Sequence, residues 1–235
     1  MDLKIKDVAE LLNISETTVR RWLIDGKIPA YRLNRQYRFS RSEIEDWLIQ
    51  QRLDPAFTEE KIDKPVEVKE EMPVKPSNNL QFSLYRAIYR GEVLSDVPGN
   101  SKEEIICNTM EHMANRFDLD AGVLTDLFLD RERMMPTTLG HGIGVPHTRD
   151  FLLNTHYDVI EVVYPKRAID YGALDGEPVH TLFFLFACED RRHLNLLAKL
   201  AHLSANEKTR AFFRTKPPKE RLLEFVKHWE SSLSA

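Results

Sequence analysis

The sequence predicts two folded units of different class: a larger α/β or α+β layer domain and, before it, a small and mainly helical domain. Residues 181–187, TLFFLFA, are continuously apolar, as in a strand that is buried on both faces of a sheet. Segments with apolar residues at helical spacing surround this strand, and mixed helices and strands indicate a layered fold. The chain of 235 residues is long enough for two units.

Residues 53–79 separate the two predicted units. This segment contains four prolines and more acidic than basic residues, and it shows neither helical nor strand periodicity. Such a composition is typical of an extended linker whose charges repel one another. We therefore predict domains at 1–52 and 80–235, joined by a flexible, charged and proline-containing linker.

Three helices and a hairpin are predicted in the first unit. Apolar residues recur at helical spacing in residues 5–12. Ser15 is a favourable N-cap for a second helix, and Gly26 is a typical C-terminal stop. Residues 30–39, AYRLNRQYRF, predict a β-hairpin. In the third helix, we expect the side chains that face inward to be those of Ile44, Trp47 and Leu48.

Two strands and at least four helices are predicted in the second unit. Ser101 and Glu104 form a capping box before a helix, and another helix is predicted at about 121–133. Residues 158–164, DVIEVVY, predict a strand in addition to 181–187. Two more amphipathic helices follow the second strand.

Positive charge in the first unit is concentrated on the second helix and the hairpin. Residues 18–41 contain seven basic residues and one acidic residue, whereas the rest of residues 1–52 is net negative. Such a patch neutralises phosphates, and a helix-turn-helix places its second helix in the major groove of DNA. A solvated basic face is the alternative interpretation. The predicted DNA-contacting residues are Thr17, Thr18, Arg20, Arg21, Arg35, Tyr37 and Arg38.

The first unit also resembles a known family. Residues 5–48 read IKDVAELLNISETTVRRWLIDGKIPAYRLNRQYRFSRSEIEDWL. They resemble the excisionase-like branch of the MerR-type winged helix-turn-helix family in the second helix ending in R-W, the following G-K-I-P-A and the basic-aromatic hairpin. The resemblance implies a small winged DNA-binding domain that binds weakly alone and acts as a dimer or beside other DNA-bound proteins.

A glycine-rich stretch leads to a histidine in the second unit. Residues 140–149, GHGIGVPHTR, contain three of the nine glycines of the chain. If residues 139–147 are extended, these glycines share one side with Pro146, where a partner or an anion can approach the backbone closely. Pro146 also restricts the backbone just before His147. The pattern indicates one imidazole held beside exposed backbone N–H groups.

Three uses of His147 fit these residues. The first use is that of a core histidine bonded to the backbone. The second is that of a metal ligand together with other histidines, and the third is that of a nucleophile that carries a phosphoryl group. The histidine spacings fit no helix-borne metal pair, and no cysteine pair accompanies them. Neutral imidazole is a nucleophile near pH 7, and phosphoryl transfer needs charge-stabilising donors, which Arg131 and Arg133 could supply.

A second resemblance covers roughly residues 80–230. Residues 129–149, LDRERMMPTTLGHGIGVPHTR, resemble the phosphorylation-site region of the fructose/mannitol and nitrogen-type enzyme IIA domains of the bacterial phosphoenolpyruvate-dependent phosphotransferase system, which ends in G-x-G-[IV]-A-[IV]-P-H. Residues 169–203 resemble the later strand and the H-L-x-L-L-A-K-L helix of the same family. This chain has Gly144 at the family's alanine, and Thr148 in place of the small residue after the histidine.

This resemblance implies a fold, an activity and a set of site residues. The implied fold is a central mixed sheet flanked by helices. His147 is implied to receive a phosphoryl group from the histidine phosphocarrier HPr or a relative. Arg131 falls on the family's site arginine and His193 on its second histidine. Thr137 and Thr148 are predicted to support the site.

Together these features predict a bacterial regulator in which phosphorylation of an enzyme IIA-like domain is coupled to DNA binding. The chain would be a phosphoryl carrier rather than a metabolite-converting enzyme. Its predicted partners are an HPr-type phosphocarrier and double-stranded DNA, with other regulatory proteins and a second copy of the chain as further candidates. No cofactor, metal or membrane is expected. Two alternatives stay open: a sugar-phosphotransferase component with an N-terminal docking module, and an interaction protein with a degenerate, unphosphorylated IIA domain.

The predicted location is the cytoplasm. The N-terminus does not resemble a signal peptide, and the chain contains no apolar run of 18 residues. Cys107 and Cys188 have no metal-type spacing, and we expect both to be small core residues in a reducing compartment.

Overall fold

The computed structural model describes residues 2–12, 14–33, 36–51, 82–148, 150, 152–153 and 156–233. The predicted linker, residues 53–79, lies outside this set, and the predicted domain boundaries stay predictions. We call residues 2–51 the N-terminal unit and residues 82–233 the C-terminal unit.

A small sheet and three helices form the N-terminal unit. In chain order its elements are β1 (Asp2–Leu3), α1 (Ile5–Leu12), α2 (Glu16–Ile24), β2 (Tyr31–Leu33), β3 (Gln36–Ser40) and α3 (Arg41–Gln51). β2 and β3 pair as the predicted antiparallel hairpin, and β1 pairs with the other edge of β3. The Ser15 hydroxyl accepts a hydrogen bond from the N–H of Thr18, which confirms the predicted N-cap. Gly26, with φ +66°, ends α2 as expected.

A five-stranded mixed sheet forms the centre of the C-terminal unit. Its strands are β4 (Val93–Val97), β5 (Thr138–Gly140), β6 (Ile143–Gly144), β7 (Val159–Pro165) and β8 (Thr181–Phe186). Their order across the sheet is β4-β7-β8-β6-β5. β4 is parallel to β7 and β6 to β8, whereas β7–β8 and β5–β6 are antiparallel. The mixed sheet is therefore confirmed.

Helices cover both faces of this sheet. They are α4 (Ser83–Arg90), α5 (Lys102–Phe117), α6 (Ala121–Met134), α7 (Asp190–Ala205), α8 (Glu207–Arg214) and α9 (Lys219–Ser232). Ile160 and Val162 of β7 pack towards α4, α7, α8 and α9, and the alternate residues Val159 and Val163 pack towards α5 and α6. Every residue of β7 and β8 is buried, as expected of strands covered on both sides. Among the described residues, no helix has the length and apolar character that a membrane span requires.

The glycine-rich stretch forms a tight hairpin rather than one extended segment. β5 ends at Gly140 and β6 begins at Ile143. Gly140, His141 and Gly142 have φ angles of +76°, +53° and +76°. The expectation that residues 139–147 are extended throughout is therefore wrong at the turn. Glycine suits the turn because it adopts positive φ without the steric cost that other residues carry.

The cysteines are half-buried rather than core residues, which corrects the sequence-based expectation. Both are free thiols, Cys107 on α5 and Cys188 just after β8. Burial raises the pKa of the Cys188 thiol to about 11, and the negative charge of Asp158 adds to this effect. The Cys188 thiol is therefore protonated at neutral pH.

The hairpin turn tolerates no side chain at Gly142, and substitution measures this constraint. A Cβ at Gly142 would lie 2.4 Å from Cδ2 of His180 and 2.9 Å from the carbonyl oxygen of Pro178. We expect Gly142→Ala to lower the free energy of unfolding by about 2 kcal/mol more than Gly176→Ala, because both variants carry the strain of positive φ and only Gly142→Ala adds overpacking. Gly176 is the matched control, because it has φ +69° and no atom within 4 Å of an added Cβ. Equal losses in urea unfolding would show that the clash is relieved elsewhere.

Glu161 is a buried acid in the middle of β7. It is fully buried, accepts a hydrogen bond from the N–H of Glu92 at 2.6 Å and pairs with Arg116. Burial raises the pKa of this carboxyl to about 7, although both contacts oppose the shift. The folded state therefore holds a proton on Glu161 that the unfolded chain releases at lower pH.

A raised folded-state pKa gives a defined pH dependence of stability. The contribution of Glu161 is fully present below its unfolded pKa, near 4.5, and is lost as pH rises through about 7. We expect the Glu161-dependent part of the unfolding free energy to fall by about 2 kcal/mol between pH 5 and pH 7. Urea unfolding of Glu161→Gln should lack this part, whereas Glu224→Gln, at an exposed position, should retain it. The prediction fails if Glu161→Gln keeps the wild-type slope.

Candidate functional site

His147 ends the extended segment that follows the hairpin turn. The N–H of Val145 donates to the carbonyl oxygen of Thr137 at 2.7 Å, and the N–H of Leu185 donates to that of Pro146 at 2.9 Å. These bonds hold the segment between the two neighbouring strands. The side chain of His147 is fully buried, with 0% of its surface exposed.

The backbone also orients the imidazole of His147. Its Nδ1 lies 2.7 Å from the carbonyl oxygen of Val145. Because a carbonyl oxygen can only accept a hydrogen bond, Nδ1 carries the proton. In the neutral ring, Nε2 then holds the lone pair and is the nucleophilic nitrogen.

Three buried side chains from both units meet at this position. His193, in the first turn of α7, has its ring centroid 5.1 Å from that of His147, with the planes at 70°. Glu45 of α3 is also fully buried, and its Oε1 lies 3.5 Å from Nε2 of His193. One nitrogen of each histidine and one oxygen of Glu45 lie within 4.8 Å of one another. The structure thus brings the two predicted histidines together and adds a carboxylate from the N-terminal unit.

Arg131, in the last turn of α6, contacts the next residue of α3. Its Nη2 donates to Oδ1 of Asp46 at 2.8 Å, and its Nη1 donates to the carbonyl oxygen of Met135 at 3.2 Å. Arg131 is buried, whereas Asp46 lies at the rim. Since Glu45 and Asp46 are consecutive, Arg131 and His193 contact the same turn of α3.

Two more charged contacts flank this turn. Nε of Arg41 lies 2.8 Å from Oε1 of Glu45, and the same guanidinium pairs with Asp190 at the start of α7. Glu10 of α1 pairs with Arg191. Opposite charges therefore face each other at several points of the contact between the units.

Apolar packing completes the contact. α1 and α3 pack on α7, and α3 also reaches β5. Leu194 of α7 is buried in the core cluster of the N-terminal unit, and Ile49 of α3 is buried in that of the C-terminal unit. The N-terminal unit therefore covers the surface above His147.

The two predicted supporting threonines are buried and fix the backbone beside the site. Thr137 donates to the carboxylate of Glu132 through its N–H and its hydroxyl. Burial raises the pKa of Glu132, and the bonds from Thr137 oppose that shift. The hydroxyl of Thr148 donates to the carboxylate of Asp150 at 3.3 Å and accepts from the N–H of the same residue. Both therefore hold turns next to the predicted acceptor histidine.

Within the part of the chain that the structure describes, two groups of side chains have the donor atoms that a metal ion requires. They are Glu45, His147 and His193, which are buried, and His141, Asp175 and Glu177, which are more exposed. In the first group, Arg41 places a positive charge 2.8 Å from the Glu45 carboxylate. This charge opposes a cation and favours an anion at the same place.

Those predicted DNA-contacting residues that the structure describes lie on α2 and β3. Thr17, Arg20, Arg21 and Tyr37 are exposed and Arg38 is half-buried. The Thr18 hydroxyl lies 2.9 Å from Oγ of Ser15, so it is part of the helix cap. Arg35 is outside the described residues.

A surface groove beside these residues also contains residues from outside the basic segment 18–41. It is lined by Lys4, Ile5, Lys6, Glu16, Arg20, Gln36, Tyr37 and Arg38. Pairing of β1 with β3 brings Lys4 and Lys6 beside the hairpin, although they precede the basic segment in sequence. Arg41, which belongs to that segment, is directed at the C-terminal unit instead.

Two parts of the chain match known families. Residues 3–52 match a helix-turn-helix domain, and residues 89–229 match the phosphoenolpyruvate-dependent sugar phosphotransferase system, EIIA 2. A nitrogen regulatory protein of Pseudomonas aeruginosa is 31% identical over 146 residues, which cover 61% of this chain and 94% of that protein. A mannitol-specific phosphotransferase enzyme IIA component of Staphylococcus aureus is 29% identical over 114 residues, 46% of this chain and 73% of that protein.

A solved structure agrees with the fold. The crystal structure of nitrogen regulatory protein IIA-Ntr from Neisseria meningitidis matches with a TM-score of 0.52 at 22% identity, over 57% of this chain and 91% of that chain. The EIIA 2 match spans more than half of the chain and includes Arg131, His147 and His193. The chain therefore belongs to the phosphoenolpyruvate-dependent sugar phosphotransferase system EIIA 2 family, and it carries a helix-turn-helix domain at its N-terminus.

Proposed function

We propose that the chain is a regulatory protein in which phosphorylation of His147 by an HPr-type phosphocarrier controls DNA binding by the N-terminal unit. Membership of the EIIA 2 family supports a phosphocarrier or regulatory role. The helix-turn-helix match suggests DNA as the second partner. The contact between Glu45 of α3 and His193, 3.5 Å apart, carries the coupling, because it joins the unit that reads DNA to the acceptor site.

The chemistry at His147 is the exchange of one N–P bond for another. Nε2 attacks the phosphorus of a phosphohistidine on the donor. A new N–P bond forms as the donor's N–P bond breaks, and the donor imidazole leaves with the bonding electron pair. The bond from Nδ1–H to the carbonyl oxygen of Val145, at 2.7 Å, keeps Nε2 directed at the donor and stabilises the positive charge that develops on the ring.

Arg131 and His193 are the proposed donors to the phosphoryl oxygens. A phosphoryl group adds about −1.5 to −2 charges at neutral pH and needs hydrogen-bond donors around it. A guanidinium supplies charge-assisted bonds that strengthen as charge builds up in the transition state. Both side chains already contact carboxylates of α3, which supports an anion-binding role.

DNA binding is assigned to the exposed face of α2 and the hairpin. Arg20 and Arg38 line the groove there, together with Lys4 and Lys6. This face differs from the surfaces of α1 and α3 that contact α7. Phosphate contacts by such residues give affinity, and base contacts near the start of α2 give sequence preference.

A phosphocarrier component whose N-terminal unit serves only as a docking module is the second candidate. The close packing of α1 and α3 on α7 favours it, because docking alone needs no DNA. DNA binding by the full-length chain separates the two candidates.

Phosphorylation of His147 is tested by mass spectrometry after incubation with phosphoenolpyruvate, enzyme I and HPr. His147→Ala should abolish incorporation, and Arg131→Ala and His193→Ala should slow it because each removes a donor to the phosphoryl oxygens. His112→Ala is the control, since His112 is half-exposed on α5 and pairs with Glu92. Labelling of His147→Ala, or acid-stable phosphate on a serine or threonine, would contradict the assignment.

DNA binding is tested by gel shift of the full-length chain over a range of salt concentrations. Affinity should fall steeply with salt, and Arg38→Ala should weaken binding on all sequences. A plot of log affinity against log salt concentration has a negative slope. Its magnitude should become smaller by about 0.9 for each bond to a DNA phosphate that a substitution removes. Arg221→Ala, at an exposed position on α9, should bind as wild type. Salt-independent binding would remove the electrostatic basis of the proposal.

A further inference from the structure

We propose that the acceptor site has a ligand within its own chain: the adjacent carboxylates of Glu45 and Asp46 occupy the site that the phosphoryl group of His147 requires. Docking of α3 and phosphorylation of His147 are then mutually exclusive. This inference rests on the proposed function of His147 as phosphoryl acceptor and adds which part of the chain competes with the phosphoryl group.

Geometry is the first argument. A reactive nitrogen of His147 needs space beside it for a phosphorus atom and three oxygens. The buried carboxylate of Glu45 borders that space, since one of its oxygens is within 4.8 Å of a ring nitrogen of both His147 and His193. A phosphoryl group on His147 would therefore compete with this carboxylate for room.

The donors around the carboxylates are the second argument. His193 and Arg131 of the C-terminal unit contact the two carboxylates, His193 at 3.5 Å from Glu45 and Arg131 at 2.8 Å from Asp46. Guanidinium and imidazole groups bind carboxylates and phosphoryl oxygens with the same kind of charge-assisted bond. The site therefore binds either anion, and a covalently attached phosphoryl group has the advantage of being held in place.

Electrostatic repulsion is the third argument. A phosphoryl group on His147 would bring up to two negative charges against the buried carboxylate of Glu45. Like charges in a buried contact destabilise it strongly, because water screens them poorly. Phosphorylation should therefore release α3, and α1 with it, from α7.

Docking of α3 should in turn hinder phosphorylation, because it closes access to His147. Its side chain is fully buried, and Glu45 of the N-terminal unit lies beside it, within 4.8 Å. A protein donor must bring its own phosphohistidine into contact with Nε2, so transfer requires that α3 first leaves. Docking should consequently slow phosphorylation, and variants that weaken docking while keeping Arg131 and His193, the proposed donors to the phosphoryl oxygens, should accept phosphate faster.

The first test measures the rate of transfer from phosphorylated HPr to full-length variants. Asp46→Lys places a second positive charge beside Arg131 without altering a proposed phosphoryl donor. It should raise the initial transfer rate about fivefold or more, because it replaces an attraction by a repulsion in the contact. Glu43→Lys is the matched control on the exposed side of α3 and should transfer at the wild-type rate.

Exchanging the charges of an ion pair away from His147 tests whether docking, rather than a change beside His147, sets the transfer rate. Glu10 and Arg191 pair across the contact, and both are partly exposed. Glu10→Arg should speed transfer, and the double variant Glu10→Arg with Arg191→Glu should return it towards the wild-type rate by restoring the pair. Failure of the double variant to reverse the effect would contradict docking as the cause.

The second test measures docking itself in the full chain. Small-angle X-ray scattering and hydrogen–deuterium exchange should show a longer maximum dimension and loss of protection near residues 190–197 once wild type is phosphorylated. His147→Ala treated with the same proteins should keep the closed dimensions.

The outcomes distinguish the two proposals. Labelled wild type that stays closed, or Asp46→Lys that labels at the wild-type rate, overturns the competition and leaves His147 as the acceptor. Absence of label on both wild type and Asp46→Lys overturns the proposed function, and the competition with it.

Discussion

The hydrogen bond from Nδ1–H of His147 to the carbonyl oxygen of Val145 determines what the rest of the site can do. It fixes the tautomer, and it exists because the segment after the hairpin turn is held in register by β5 and β8. The hairpin turn between β5 and β6 in turn needs Gly140 and Gly142, which both have positive φ. Sequence features that look separate, the glycines, the proline and the histidine, therefore serve one requirement: a single ring nitrogen presented in one direction.

The contact between the two units combines features that favour reversibility. Its centre is made of buried charged groups rather than of a continuous apolar core. Burying an ion pair costs much of the free energy that its attraction returns, so such contacts add specificity more than net stability. The apolar part of the contact includes Ile49 and Leu194, each buried in the core cluster of the other unit. A contact of this kind can be closed in one state and opened by a change of charge in another.

Much of the fold and part of the site were predictable from the sequence, for local reasons. The caps at Ser15 and Ser101 and the apolar run of β8 depend on neighbouring residues, and so does the motif that ends in His147. The hairpin turn was missed because alternating glycines fit an extended strand as well as a turn with positive φ. Glu45 and Asp46 were missed for a different reason. Their partners lie on α6 and α7, far along the chain, and two acidic residues on a short helix look like an ordinary solvated face.

Full burial of His147 has a kinetic consequence if this residue is the proposed phosphoryl acceptor. The transfer rate at high donor concentration would then be set by the frequency with which α3 leaves α7, not by encounters with the donor. Loss of the phosphoryl group would start from an open chain and would have no such limit. Under the proposal the two directions are therefore unequal, and a sustained supply of donor would be needed to keep the chain phosphorylated.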